Sequence, residues 1–471
     1  MSGNADKGCK VLLFTPPRGL FKGAVERPWN TTQPLGLAYV AAAVRAAGHE
    51  VQVVDGYSLG TPAAGIRERI ASFNPRVVGV SALTPQWPDA EALTALAKSV
   101  DANILTVVGG PHVTALPEQA AASPDVDVAV IGEGELPAAE VCDAVVAGGD
   151  LGRIPGLVLG QGGEVRATAP RQVLEDLDSL PFPAHDLLPE PSFYNPFPSW
   201  GKKGNFSSIV SGRGCPYGCS FCDVTTQQGK RYRLRSARNV VDELSWLNSA
   251  FGVTSFSFRD PSMICGRNRM REMCSLIEER SLDIAWTCNS RASEVDPEML
   301  AWAKKAGCWQ MQFGIEVGNP ELLKKIKKTT REKIATAVGN TRRAGISPHG
   351  YFLFGFMEET PETVEQTIDF ARQLDLDSAG FGMMVPFPGT DEWEKFRAGG
   401  LLLTEDWWRY DIMGEPVYRH QNLSSEELFQ ATRRAYRRFY LRPRIIARHL
   451  RKLNSWWALR EYVHAARRVF H

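Results

Sequence analysis

Short apolar runs recur through the first 150 residues, at Val11–Phe14, Val51–Val54, Val77–Val80, Ile104–Val108 and Val126–Ile131. Between them apolar positions fall at helical spacing, over about 35–47, 61–73, 88–99, 116–122 and 135–147. Strands alternating with amphipathic helices predict an open, parallel, Rossmann-like α/β sheet. Such sheets bind ligands beyond the carboxyl ends of their strands, which makes the strand-end residues the candidates. A hairpin is expected over 154–168, with Gly160, Gly162 and Gly163 at its turn. Residues 170–205 are rich in proline and aromatics (Pro181, Pro183, Pro189, Pro191, Pro196, Pro198) and read as an ordered linker crossing the surface.

From Phe206 the alternation resumes. Strand-like runs lie at Ser207–Ser211, Ser255–Phe258, Ile284–Thr287, Met311–Ile315, His349–Phe354 and Ser378–Val385, with helical patterns at 237–250, 266–280, 297–306, 320–327, 331–344 and 362–373. Six such units predict a partial (β/α)6 barrel, whose functional residues collect at the C-terminal strand ends. From about 396 the pattern becomes helical, aromatic and basic. The expected organisation is an α/β domain over 1–150, a hairpin and linker over 151–205, a partial barrel over 206–395 and a helical region over 396–471. A length of 471 residues suits several domains, at roughly 100–200 residues each.

Net charge is only +1, but it is unevenly placed. Residues 431–471 hold twelve of the 54 Lys and Arg and one acidic residue, Glu461, which leaves the remainder at −10. No apolar run approaches the roughly 18–20 residues that span a bilayer, and Met1–Lys10 is polar, unlike a signal peptide. Three of the nine cysteines are crowded together and six are scattered, which argues against a secreted disulfide framework. A cytoplasmic enzyme is expected.

The sharpest chemistry lies in Ser211-Gly-Arg-Gly-Cys-Pro-Tyr-Gly-Cys-Ser-Phe-Cys222, directly after a strand. Cys215, Cys219 and Cys222 form a C-x3-C-x2-C loop with glycines at 212, 214 and 218. Iron–sulfur clusters are held by thiolates of this kind, and three cysteines leave one iron of a 4Fe–4S cubane open. Structural zinc prefers four ligands, and no second Cys or His pair follows.

The loop resembles the signature of the radical S-adenosylmethionine enzymes, with Phe221 at the aromatic position, and the resemblance spans about 206–395. It implies that the open iron chelates S-adenosylmethionine and that one electron cleaves the cofactor to a 5′-deoxyadenosyl radical. It also implies cofactor contacts from Phe221 and from successive strand ends: Asp260 in Phe258-Arg-Asp260, Asn289 and Arg291 in Thr287-Cys-Asn-Ser-Arg291, Glu316 in Gly314-Ile-Glu316, and Gly355, which precedes Glu359-Thr-Pro-Glu362. Pro386-Phe-Pro-Gly-Thr390 resembles the sixth-strand loop. The plainer readings are a solvated carboxylate for Glu316 and a structural ion pair for Asp260 and Arg291. Cys265, Cys274, Cys288 and Cys308 read as buried small hydrophobes.

Residues 10–150 resemble the cobalamin-binding domain attached to many of these enzymes, and lack the G-x-G-x-x-G of a dinucleotide site. The resemblance implies cobalamin contacts from Thr15, Gly36, Asp55, Tyr57, Ser81, Thr84, Gly109, Gly110, Pro111, His112, Gly132, Glu133 and Gly134. Domains that supply an axial histidine carry Asp-x-His-x-x-Gly; here the run is Asp55-Gly-Tyr57-Ser-Leu-Gly60. The lower cobalamin face would then lack a histidine nitrogen. His112 reads as a loop residue that caps or hydrogen-bonds rather than as a metal ligand.

Together the resemblances imply a cobalamin-dependent radical enzyme that methylates an unactivated carbon. The alternative is a cyclase or ring-rearranging enzyme that moves no methyl group. A small hydrophobic or anionic substrate and an external electron donor such as flavodoxin or ferredoxin are implied, and no nucleic acid. The basic C-terminal stretch, with Trp407-Trp-Arg-Tyr410, Tyr436, Trp456-Trp457 and arginines at 433, 434, 437, 438, 442, 444, 448 and 451, suits a substrate cover or peripheral contact with anionic lipid. Its plainer reading is a basic helix packed against the barrel. Phe439-Tyr-Leu-Arg-Pro443 resembles C-terminal extensions of cobalamin-dependent radical proteins.

Overall fold

The computed structural model describes residues 8–28, 30–161, 164–196 and 204–452. Gly162, Gly163, Pro198 and Trp456-Trp457 of the sequence reading lie outside the described residues. The first sheet contains β1 (Lys10–Thr15), β2 (Glu50–Asp55), β3 (Val77–Ser81), β4 (Leu105–Gly109), β5 (Val128–Val130), β6 (Leu157–Gln161) and β7 (Glu164–Ala167). Its order is β2-β1-β3-β4-β5-β6-β7. The first five strands are parallel, and the β6–β7 hairpin extends the sheet antiparallel to β5. Their valine-rich runs are buried on both faces, as parallel strands sandwiched by helices require. Chain direction across the sheet reverses between β1 and β3, the place where open α/β sheets form a ligand crevice.

The second sheet is wholly parallel and in sequential order, β15-β14-β13-β12-β11-β8. Its strands are β8 (Asn205–Ile209), β11 (Val253–Phe258), β12 (Ala285–Ser290), β13 (Cys308–Glu316), β14 (Ser347–Phe354) and β15 (Ser378–Met383). A two-stranded ribbon, β9 (Gly212–Arg213) with β10 (Arg233–Leu234), flanks the cysteine loop. Three barrel helices start on one device: Asp296, Asn319 or Thr360 caps the N-terminus, and Pro297, Pro320 or Pro361 follows.

The C-terminal region differs from the expected continuous helix. After helix Asp391–Ala398 the chain is mostly irregular to 424, and the helices Ser425–Tyr440 and Pro443–Lys452 follow. Gly399-Gly400, Gly414 and Pro416 interrupt the helical pattern there. Helix 425–440 covers the free edge of the barrel sheet. The Tyr440 hydroxyl donates to the Ala379 carbonyl (2.8 Å) and accepts from its N–H (3.0 Å), and the Tyr436 hydroxyl accepts from Phe381 N–H (3.2 Å). An exposed edge strand is thereby closed. Arg434 and Arg438 pair with Glu365, and Arg444 and Arg448 pair with Asp375. Much of the basic charge is therefore spent on the barrel.

The two sheets meet through buried charge. Arg213 reaches Glu133 (2.9 Å) and Glu135 (2.6 Å), and Arg233 also binds Glu133 (2.9 Å). Gln33 lies along β8, donating to the Phe206 carbonyl (2.7 Å) and accepting from Ser208 N–H (3.3 Å). The linker is ordered where it is described: Ala184 N–H donates to the Ala38 carbonyl (3.0 Å), and the Tyr194 hydroxyl donates to Asp55 (3.1 Å). Among the described residues no helix is long and apolar enough to cross a membrane.

Candidate functional site

The segment after the cysteine loop meets the carboxyl end of β4, where the Gln227 amide donates to the Pro111 carbonyl (2.9 Å). On the barrel side the base of the cysteine loop is pinned from several directions. Asp260, 1% exposed, accepts from the Ser211 backbone N–H (2.7 Å) and from the Ser211 hydroxyl. Gly214 N–H donates to Gln228 Oε1 (3.0 Å), and Cys215 N–H to the Gly229 carbonyl (3.1 Å). Tyr217 and Tyr232 both donate to Glu294 (2.7 and 3.1 Å). All three loop cysteines are free and half-buried. Burial pushes the Cys222 thiol up to about 11 and raises Cys215 as well. Thiolates here need a cationic partner, which is what the irons of a cluster provide. No three His, Cys, Asp or Glu side chains among the described residues close around a single metal ion. Three thiols on one loop are the donor set of a 4Fe–4S cubane that keeps one iron open.

Two of the expected cofactor residues, Arg291 and Glu316, converge beside this loop. Arg291 lies flat on Tyr217, 3.7 Å from the ring centre, and directs one N–H at Cys219 Sγ (3.8 Å). Its other end donates to the Lys327 carbonyl (2.8 Å). Lys327 pairs with Glu316 (3.2 Å) and sits 5.8 Å from the Phe221 ring. Glu316 is neither solvated nor relaxed: it is 6% exposed and holds φ at +67°. A non-glycine residue in the left-handed region is strained, and such strain clusters at ligand sites. A Cβ on Gly314 would lie 2.6 Å from Glu316 Oε1, so glycine there makes room for the carboxylate.

Asp260 and Arg291 do not form the ion pair considered from sequence. Asp260 positions Ser211, and Asn289 donates to the Asp260 carbonyl (3.2 Å). Both act on the loop from below. Gly355, at φ +102°, turns the chain after β14, and a Cβ there would strike the Tyr418 hydroxyl at 2.1 Å. Its N–H and that of Phe356 donate to Glu359 (2.6 and 3.1 Å), which is fully buried.

Burial raises Glu359 to about 7, against the pull of those two N–H groups. A raised carboxyl pKa contributes stability that is full below about 4.5 and lost as pH rises through about 7. Glu359→Gln keeps an acceptor for both N–H groups and removes the titration. Urea unfolding at pH 5 and pH 8 should show a loss in the native protein that is smaller in the variant by about 3 kcal/mol.

The first sheet contributes a cavity of about 310 Å³ between its strands and the helices Leu35–Ala46 and Glu135–Ala147. Val11, Leu13, Val77, Val107, Val130 and Val141 form much of its wall. Of the expected cobalamin residues, Gly36, Ser81, Gly109, Gly110, Pro111, Gly132, Glu133 and Gly134 line it. Gly110 has φ +97°, and a Cβ there would lie 2.8 Å from the Ala82 carbonyl oxygen. A deep apolar slot with a mouth of small residues fits a flat aromatic base such as that on the cobalamin tail. Leu83, Ile412 and Met413 remain exposed at 51%, 47% and 50%, although a folded chain tends to bury such side chains. Leu83 follows β3, and the Ile412 carbonyl accepts from Met383 N–H at the end of β15 (2.9 Å).

The other expected cobalamin residues have different surroundings. Thr15 donates to Asp55 (2.7 Å), which also accepts from Ser58 N–H (3.2 Å) and Tyr194, so the pair builds the turn after β2. Tyr57 rides on that turn and is half-buried, with Arg18 and Asp411 as charged neighbours. Burial would raise Glu133, but Arg233 and Arg213 hold it below the usual range, so its carboxylate serves the domain interface. Thr84 is buried and is not among the cavity-lining residues. His112 is fully buried, stacked on Trp87 (4.9 Å) and edge-on to Trp407 (5.1 Å). Burial lowers it to about 3.

Lys327, Tyr217 and Arg213 were missed in the sequence reading. Lys327 looks like one of several solvated lysines in Pro320–Lys327, and only the fold turns it inward.

The B12 binding domain family matches residues 22–142, and the radical SAM superfamily matches residues 209–371. The chain is 36% identical over 447 residues to "Uncharacterized methyltransferase PH0819" of Pyrococcus horikoshii, covering 94% of this chain and 95% of that protein. It is 30% identical to the anaerobic magnesium-protoporphyrin IX monomethyl ester cyclase of Rubrivivax gelatinosus, covering 91% of this chain and 77% of that one. The solved structure of the radical S-adenosylmethionine methyltransferase TsrM from Kitasatospora setae shares the fold, with TM-score 0.70 at 22% identity over 84% of this chain and 76% of that one. The chain therefore belongs to the cobalamin-dependent radical S-adenosylmethionine enzymes, with cobalamin, a 4Fe–4S cluster and S-adenosylmethionine as its cofactors.

Proposed function

We propose that the chain is a methyltransferase acting on an unactivated carbon of a small molecule. The observation that carries this reading is the end-to-end similarity to the Pyrococcus methyltransferase. Tyr57 supports it, because a phenol in place of the axial histidine leaves the lower cobalamin face without an imidazole. When bound, the cluster and S-adenosylmethionine supply a hydrogen-abstracting radical and cobalamin supplies the methyl group. The chain's own residues do the rest. Cys215, Cys219 and Cys222 hold the cluster, Glu316, Lys327, Arg291 and Phe221 orient S-adenosylmethionine, and the valine-lined cavity seats the cobalamin tail. Leu83, Ile412 and Met413 keep water from the space between.

The cyclase relative makes methyl-free ring formation the second reading. The two separate without knowledge of the substrate. The protein, reconstituted anaerobically with iron, sulfide and cobalamin, is incubated with methyl-labelled S-adenosylmethionine and then with a strong reductant. A methyltransferase places label on the cobalamin and releases 5′-deoxyadenosine. 5′-Deoxyadenosine without labelled cobalamin would overturn methyl transfer in favour of cyclisation. We place the enzyme in the cytoplasm, with an external flavodoxin or ferredoxin as reductant. Nine unpaired cysteines suit a reducing compartment.

A further inference from the structure

Polar side chains line much of the inner face of the barrel. On β11, Phe256 and Phe258 point into the hydrophobic core, so Ser257 and the next alternate residue, Arg259, point the other way. Ser257 accepts from Thr287 of β12 (3.1 Å). Asn289, Gln312, His349 and Ser378 are register partners across the next four strands, and Arg259, one residue beyond the Phe258–Cys288 pair, is level with them. A ring of amide, imidazole and guanidinium groups therefore crosses the hollow just below the cluster loop.

Arg259 stands out within this ring. It still belongs to the sheet, since its N–H donates to the Ile209 carbonyl (2.8 Å). Its neighbours Phe258 and Asp260 are each 1% exposed, yet Arg259 itself is exposed. Loss of hydration around its guanidinium lowers its pKa, and the Tyr351 hydroxyl opposes that effect. Tyr351 donates to Gln312 Oε1 (2.9 Å) and packs edge-on against His349 (4.5 Å). His349 uses Nδ1 on the Ser378 hydroxyl (2.7 Å), while Nε2 is buried with no hydrogen-bond partner. A buried orphan of this kind calls for a ligand or an ordered water. Gly380 leaves space for both rings, since a Cβ there would lie 3.1 Å from Tyr351 and 3.7 Å from His349 Nε2.

We propose that the barrel hollow receives an oxyanion of the substrate, a carboxylate or a phosphate, on the Arg259 guanidinium with Tyr351 and His349 beside it. The proposal rests on the reading that this chain is a radical enzyme with its substrate between the two sheets, and it names the chemical class of that substrate. A guanidinium pairs with an oxyanion in two-pronged fashion, and the unpartnered imidazole nitrogen of His349 offers a further contact on the same face. Acid would thus lie deep in the barrel, and the carbon to be modified nearer the cluster loop.

The test uses the full chain loaded with iron and cobalamin and saturated with S-adenosylmethionine. Benzoate, inorganic phosphate and benzamide serve as probes in equilibrium dialysis, while phenylglyoxal labelling of Arg259 is mapped by mass spectrometry. One equivalent of benzoate or phosphate should bind and shield Arg259, and benzamide should do neither. Which acid binds more tightly tells carboxylate from phosphate. Arg259→Gln should weaken acid binding at least about tenfold, in line with a charge-assisted hydrogen bond. Arg259→Lys should weaken it less, and iron and cobalt content should not change in either variant. Equal binding of benzamide, full binding by Arg259→Gln, or binding only without S-adenosylmethionine would overturn the assignment. So would failure of both acids to bind. Release of 5′-deoxyadenosine by the same preparations reports separately on the radical reading.

Discussion

Alanine at any one of Cys215, Cys219 or Cys222 should abolish 5′-deoxyadenosine release and lower bound iron from about four per chain to a small fraction of that. The expectation follows from ligand count. With three protein thiolates the cubane already has one open iron, and removing a second anchor leaves a cluster held at two corners. The loop has no substitute to offer. Cys265 is the nearest temptation, because it shares the electrostatic surroundings of Tyr232 with Cys215. Its Sγ, however, donates to the Ser262 carbonyl (3.1 Å), and the residue is 8% exposed. Cys265→Ala should therefore keep native iron content and activity. Iron analysis and 5′-deoxyadenosine assays on the four variants check both halves of the expectation. Loss of iron in Cys265→Ala alone, with the loop variants intact, would move the cluster elsewhere. The loop itself should remain folded in each case, because Asp260, Gln228 and the Gly229 carbonyl pin its base without using the thiols.

Most of the fold was legible because strand and helix periods are local properties. The expected helix over 320–327 matches Pro320–Lys327, and the sixth strand begins at Ser378 as expected. The cysteine loop was legible for the same reason: its three thiols lie within eight residues. What sequence reading misses is pairing across long separations. Glu133 sits in a strand-end run that resembles a cofactor loop, but Arg213 and Arg233 claim it from 80 and 100 residues away. Asp55 keeps its place in the cobalamin signature and spends its carboxylate on Thr15, Ser58 and Tyr194. His112 follows two glycines at a strand end, where a ligand is tempting, and its ring turns instead into an aromatic sandwich. Glu316 shows the converse. A strand-end carboxylate looks ordinary in sequence, and only its left-handed backbone and its buried lysine partner mark it. In the basic C-terminal stretch, Arg434, Arg438, Arg444 and Arg448 pair with Glu365 and Asp375 of the barrel, as its plainer reading expects, and these partners are also distant in sequence.

The first sheet's role can be separated from the cluster by a single side chain. Ala138 lies on the helix 135–147 and faces the cavity below Gly134 and Glu135. Ala138→Phe puts a ring into that cavity of about 310 Å³, in the space assigned to the cobalamin tail. With the tail bound the site would be overfilled, at a cost of about 1–3 kcal/mol, which corresponds to cobalamin binding weaker by roughly five- to a hundred-and-fifty-fold. Fold stability should change little, because the ring enters space that is open in this structure and joins a valine-rich wall. Cobalt content after gel filtration should fall while iron content stays native, since Cys215, Cys219 and Cys222 belong to the other sheet. With reductant and S-adenosylmethionine the variant should still release 5′-deoxyadenosine, yet carry no label from methyl-labelled S-adenosylmethionine on cobalamin. Native cobalt retention in Ala138→Phe would mean that the slot between β1, β3, β4 and the two helices is only a packing flaw. The cobalamin would then be held by the exposed apolar rim of Leu83, Ile412 and Met413 without an anchored tail.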